Sequence, residues 1–223
     1  MRSIFWTAGC LVLFIVWAAL PLVAPPAFFV HMAVHMGVVA VAAPFLALGV
    51  AGGRLDPVVR FPNFFAPIPI SLLELVVVWT WHAPALHNVA RHTIFGLFAE
   101  QSMFLVCGLL LWLSAFGGRQ PLSTNRAAAG VIGLLLTMMH MVLLGALLAM
   151  TPRPLYSHGE SDLGSHTQSP MGSHHEMHTG LTPLEDQHLG GAIMLVGGGV
   201  SYLIGGLCLS VRLLRGKSIS AES

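Results

Sequence analysis

Residues 29 to 37 read FVHMAVHMG, two histidines and two methionines inside an otherwise apolar stretch. On a helix His31 and His35 are i, i+4 neighbours on one face, and Met32 and Met36 form the same pair about 100° round. Imidazole suits copper, zinc and iron, while thioether favours cuprous ion. His82, His140 and His188 fall within or cap other apolar stretches, with Glu100, Met141, Asp186 and Met194 nearby as further donors. The chemistry these types offer is metal capture or axial haem ligation. The competing account is structural, with histidines bonding across helices and methionines filling gaps.

A second His/Met concentration lies in the only long polar segment, residues 151–185, which contains GESDLGSHTQSPMGSHHEMHTG. It carries His158, His166, His174, His175 and His178, with Met171 and Met177. Ser, Gly, Thr and Pro make up much of the rest, so the expectation is a disordered loop. Such a tract can capture copper, but it specifies no geometry and equally suits a solvated linker.

The elements that must position these residues are set by composition. The chain has 223 residues, 55% hydrophobic and 9% charged, with a mean hydropathy of +0.78. Soluble domains carry about a quarter charged residues, so this is a polytopic membrane protein, expected as a single integral membrane domain over 1–223. A bilayer core needs about 20 apolar residues per helix. Six segments qualify, roughly Ile4–Val23, Phe28–Val50, Phe64–His82, Ile94–Phe116, Ala127–Met150 and His188–Leu214. The breaks hold turn residues: Pro25-Pro26, Gly52-Gly53, Pro84, Gly117-Gly118, and Pro152 with Pro154. The predicted fold is therefore an all-α bundle of about six transmembrane helices. The first segment also has features of a signal peptide, but its length favours a retained span.

Basic residues near span ends orient the bundle. With the N-terminus in the cytoplasm, Arg2, Arg54, Arg60, Arg119, Arg126, Arg212, Arg215 and Lys217 lie inside, and Arg91 and Arg153 outside. Both termini are then cytoplasmic, and the in-span histidines fall between the outer surface and mid-membrane. Glu74 sits near the middle of the third span, as a proton carrier or as a protonated carboxyl bonding a neighbour.

Several classes are excluded or disfavoured. A net charge of +1 without a basic run gives no basis for nucleic-acid binding. Cys10, Cys107 and Cys208 form no paired motif. No HExxH, GxSxG or phosphate-binding loop is present, so nothing marks an enzyme. The last span, GGAIMLVGGGVSYLIGG, reads as close helix packing.

The ordered set HMAVHM, WTWHAPAL, EQSMFLVCGLLLW, the fifth-span His140 and DQHLGGAIM resembles the multi-span CtaG family of cytochrome c oxidase assembly factors, over about Phe28 to Gly199. Matching positions are His31, His35, Trp81, His82, Glu100, Trp112, His140, Asp186, Gln187, Gly190, Gly191 and Met194. Gln101 departs from the histidine expected after the glutamate, and Leu195 from a tryptophan that often follows the methionine. The resemblance implies a bacterial inner-membrane protein that helps mature haem–copper oxidase by delivering copper. Its partners would be oxidase subunits, the lipid bilayer and periplasmic copper chaperones.

Three functions are thus expected to compete. The leading one is a non-enzymatic assembly factor holding copper on the periplasmic side through His31, His35, His82, His140 and His188. A bis-histidine haem cytochrome, for instance through His35 and His140, is the second. Proton-coupled transport of metal or solute through Glu74, Glu100 and His140 is the third, although no repeat of broken helices supports it.

Overall fold

The third apolar segment does not run straight. In the computed structural model, which describes residues 1–25, 27–119, 122–156 and 180–221, the helices are α1 (Arg2–Val23), α2 (Phe28–Val50), the short α3 (Pro57–Arg60), α4 (Pro67–Trp81), α5 (Pro84–His92), α6 (Ile94–Phe116), α7 (Thr124–Met150) and α8 (Pro183–Ala221). No strand occurs among the described residues. Five helices are long and apolar enough to cross a membrane, or six if α4 and α5, bent by 72°, count as one broken span.

The bend follows from local chemistry. Proline at the first helical position starts α4 at Pro67, three residues later than expected, and the preceding Ala66 is extended as a pre-proline residue must be. Pro84 does the same to Ala83, which forces the chain out of helix just after His82 and starts α5 in a new direction. At 15 residues α4 rises about 22 Å, short of a bilayer core of about 30 Å. The hydrophobic run alone suggested a full span from Phe64 to His82; the two prolines shorten it.

The remaining starts are capped in the ordinary way. Thr93 Oγ1 accepts from Gly96 N to begin α6. At α8 Thr182 and Glu185 form a reciprocal capping box, Glu185 Oε2 accepting from Thr182 N at 2.8 Å and Thr182 Oγ1 accepting from Glu185 N at 3.3 Å. Asp56 ties the end of the bundle away from the histidines, accepting from Gly52 N, Val58 N and Gly118 N.

Glycines set how closely α8 approaches its neighbours. A Cβ on Gly191 would lie 2.6 Å from Ala149 N, and one on Gly145 would lie 2.7 Å from Leu195 N. Backbones of α7 and α8 therefore touch directly, as small residues allow in membranes. Gly190 leaves room for the ring of Phe28 on α2. In the middle of α2 a π-helical stretch, Gly37–Ala42, meets side chains from two other helices: Trp112 Nε1 donates to Val39 O at 3.0 Å and Ser201 Oγ to Ala40 O at 2.6 Å. Side-chain insertion of this kind accompanies local widening of a helix.

Glu74 is fully buried and belongs to this packing. Its Oε1 accepts from Tyr202 Oη at 3.2 Å and its Oε2 from Thr137 Oγ1 at 3.3 Å, with Ser71 Oγ 2.8 Å from Thr137 Oγ1. The network joins α4, α7 and α8. Glu74→Gln keeps an acceptor for Tyr202 and is expected to lower thermal stability by less than about 1 kcal/mol. Glu74→Ala strands two buried hydroxyls and is expected to lower it by about 2–4 kcal/mol. Melting in detergent, followed by the exposure of Cys107 to a thiol reagent, distinguishes the two. Equal losses would contradict the network.

Candidate functional site

At the opposite end of the bundle from Asp56, three helices, α2, α4 and α5, bring four buried imidazoles together. The i, i+4 spacing on α2 does what the sequence requires: His31 and His35 lie on one face, about 6 Å apart along the axis. Asp186 holds this end of α2 in place. Its Oδ2 accepts from Phe28 N and its Oδ1 from Phe29 N, each at 2.8 Å, so both carboxylate oxygens cap the helix start. The neighbouring residues act likewise. Gln187 Oε1 accepts from Leu155 N at 2.6 Å, its Nε2 donates to Leu148 O at 3.3 Å, and His188 Nε2 lies 3.0 Å from Thr151 O. The DQH motif is thus a clamp joining α2, α7, α8 and the segment after α7.

The imidazoles fall into two groups. In the first, His31 from α2, His87 from α5 and Glu100 from α6 place one ligand atom each within 4.8 Å of one another, and all three are buried. His31 Nε2 lies 3.3 Å from Glu100 Oε1, in a close contact without hydrogen-bond geometry. The other oxygen, Glu100 Oε2, accepts from Gln101 Nε2 at 3.3 Å, and Gln101 Oε1 accepts from Trp17 Nε1 at 3.0 Å. Gln101 therefore orients the carboxylate and fastens it to α1. The His31 and His87 rings stand nearly perpendicular, with centroids 5.2 Å apart.

In the second group, His35 and His82 have ring centroids 5.3 Å apart, and Phe104 packs on His35 at 4.0 Å. Tyr156 closes the region from above. It stacks on Phe28, with centroids 4.6 Å apart, and its hydroxyl donates to His82 O at 2.6 Å. Burial pushes the Tyr156 phenol up to about 12, so it stays a donor at physiological pH.

Beside His31 a cavity of about 590 Å³ opens between α1 and α6. Trp17, Pro21, His31, Arg91, Phe98 and Gln101 are among its walls. Most of the wall is apolar, with His31, Arg91, Gln101 and Ser102 as its polar side chains.

Other expected donors are placed elsewhere. His140 is buried on α7 with neither ring nitrogen hydrogen-bonded, and it joins no group of three ligand side chains among the described residues. Met32 packs against Gly190, Met36 against Gly197 and Met141 against Gly198, so these methionines fill the gaps that α8 glycines leave. Met194 is buried in the same core. Asp186, expected as a helper, spends both oxygens on the cap. His158, His166, His174, His175 and His178, with Met171 and Met177, lie outside the described residues.

Sequence pattern alone does not single out His87, because WTWHAPALHNVARH reads as a span end followed by a break at Pro84. The grammar was there: Pro84 at the first helical position, then Arg91 and His92 in the last turn, spell a short helix whose buried residues are His87 and Ala90.

No curated protein and no solved structure matches the chain. The model of the family described as cytochrome c oxidase caa3 assembly factor (Caa3_CtaG) matches residues 1–216, and the chain belongs to that family.

Proposed function

We propose that this assembly factor binds copper as cargo in the His31–His87–Glu100 triad, on the periplasmic side of the bacterial inner membrane, and hands it to cytochrome c oxidase. The family supplies the oxidase, and the apolar helices make the chain a multi-pass membrane protein. The observation that carries the copper reading is the triad itself: two imidazoles and a carboxylate, from three helices, converging within 4.8 Å in a buried place. Such a donor set fits a divalent copper ion, and Glu100 cancels half of its charge. An assembly factor must also let go. Three protein ligands leave coordination positions open for an incoming donor, unlike a closed four-ligand structural site. The residues hold and release, and no catalytic step is needed.

The His/Met-rich sequence of residues 151–185 would collect copper for the site, with periplasmic copper chaperones as its source. The excess of basic residues at the other end of the spans supports that side as periplasmic.

Metal analysis with an optical spectrum of the purified protein tests the reading. Copper loading in the wild type is expected to give one cupric ion that resists dialysis at the triad, and the His31→Ala/Glu100→Gln double variant is expected to lose it. The same variant should fail to restore oxidase activity in a deletion strain. An unchanged stoichiometry in the variant overturns the site, and a Soret band in the wild type would favour the haem alternative.

A further inference from the structure

One turn deeper than the triad, the second group has a different chemistry. His35 is fully buried, and neither of its ring nitrogens has a hydrogen-bond partner. His82 Nδ1 lies 2.7 Å from Val78 O. A carbonyl only accepts, so Nδ1 carries the proton and His82 Nε2 is a lone pair. That nitrogen too is buried and unpartnered. A second-partner bond that fixes the tautomer is the usual arrangement behind a metal-ligating histidine. Each unpaired buried nitrogen costs about 1–3 kcal/mol, and two neighbouring rings carry three of them. The ring centroids are 5.3 Å apart, a separation at which an ion about 2 Å from one nitrogen of each ring would be held in a bent, not linear, arrangement.

We propose that His35 and His82 form a second metal site, taking monovalent copper through two neutral imidazoles. The proposal rests on the copper reading of the triad and extends it. Charge decides the oxidation state. Among the described residues the one cluster of three ligand side chains is His31, His87 and Glu100; Glu100 is near enough to His82 to act on its charge, but the triad already uses that carboxylate. With Glu100 spent on the triad, a divalent ion there would add two charges to a site walled by Phe104, while cuprous ion adds one. With Glu100 subtracted, cupric ion in the triad also leaves one. Each site thus places a net charge of one in the bundle, with a different oxidation state. Cuprous ion accepts low coordination numbers with neutral donors, and the two imidazoles supply two of its ligands.

The test uses the full-length protein in detergent under anaerobic, reducing conditions, with a chromogenic cuprous chelator as competitor. Wild type and His31→Ala/Glu100→Gln are both expected to retain one cuprous ion against the chelator. His35→Ala and His82→Ala are expected to lose at least about 100-fold in cuprous affinity. The cupric resonance signal of the triad, recorded separately, should persist in both of those variants. His82→Gln serves if either alanine variant elutes as an aggregate, and it should show the same loss. Cuprous affinity that does not change on losing His35 and His82 overturns the second site, as does its loss in the triad variant alone. Absence of cuprous binding with the cupric signal intact overturns only this inference. Absence of both removes the copper reading as well. If the two rings merely hydrogen-bond to each other, the wild type gives no cuprous uptake.

Discussion

His87→Ala is expected to lower the affinity of the purified protein for cupric ion by at least about 100-fold, while His92→Ala leaves it unchanged. Both residues sit on α5, five apart, with the same side chain. His87 is buried against His31, Phe28 and Tyr156, whereas His92 is exposed in the last turn. Removing a group that only supports a metal ligand costs about 10–100-fold in affinity. Removing a ligand itself should reach at least the upper end, equivalent to about 2.7 kcal/mol. The packing lost with the ring adds to the effect on stability, so His87→Gln is the control. It fills much of the space without an imidazole, and it should lose copper while keeping its melting temperature. Competition with a cupric chelator gives the affinities. Equal affinities for the two alanine variants would remove α5 from the site and leave His31 and Glu100 as a simple ion contact.

That prediction depends on a residue that periodicity could not find. Span count and approximate limits followed from apolar runs, because a membrane helix declares itself by length and composition. The face shared by His31 and His35 followed from helical spacing. What three-dimensional contacts decided was which histidines meet. His82 pairs with His35 because Pro84 stops α4 where it does, and His87 reaches His31 because α5 leaves at 72°. His140 has the right depth in the sequence but takes a place on α7, and depth along a helix says nothing of rotation about it. The thioethers beside the imidazoles are expected from sequence either to assist a metal site or to fill gaps. At 100° from the histidines they point toward α8, where missing side chains at Gly190, Gly197 and Gly198 leave room for them. Gln101, a departure from the family pattern, has a role of its own as the bridge from Trp17 to Glu100.

Asp186→Ala should destabilise the protein by about 3 kcal/mol or more, with copper lost only in proportion to the unfolded fraction. Its carboxylate accepts two short bonds from backbone donors at the start of α2, in a buried setting, and hydrogen bonds to a charged group contribute about 1.5–3 kcal/mol each. The charge also faces the positive end of the helix macrodipole. Asp186→Asn keeps one acceptor and should lose about half as much. Because α2 carries His31 and His35, a loosened start lets both imidazoles move together, which links a cap on α8 to the geometry of both proposed sites. The opposite result is equally concrete. If the carboxylate were a metal donor, Asp186→Ala would keep its melting temperature and lose copper in the folded protein, as Glu100→Gln is expected to do. Measuring copper per folded chain in the two variants side by side separates a residue that binds the metal from one that holds the helix in place.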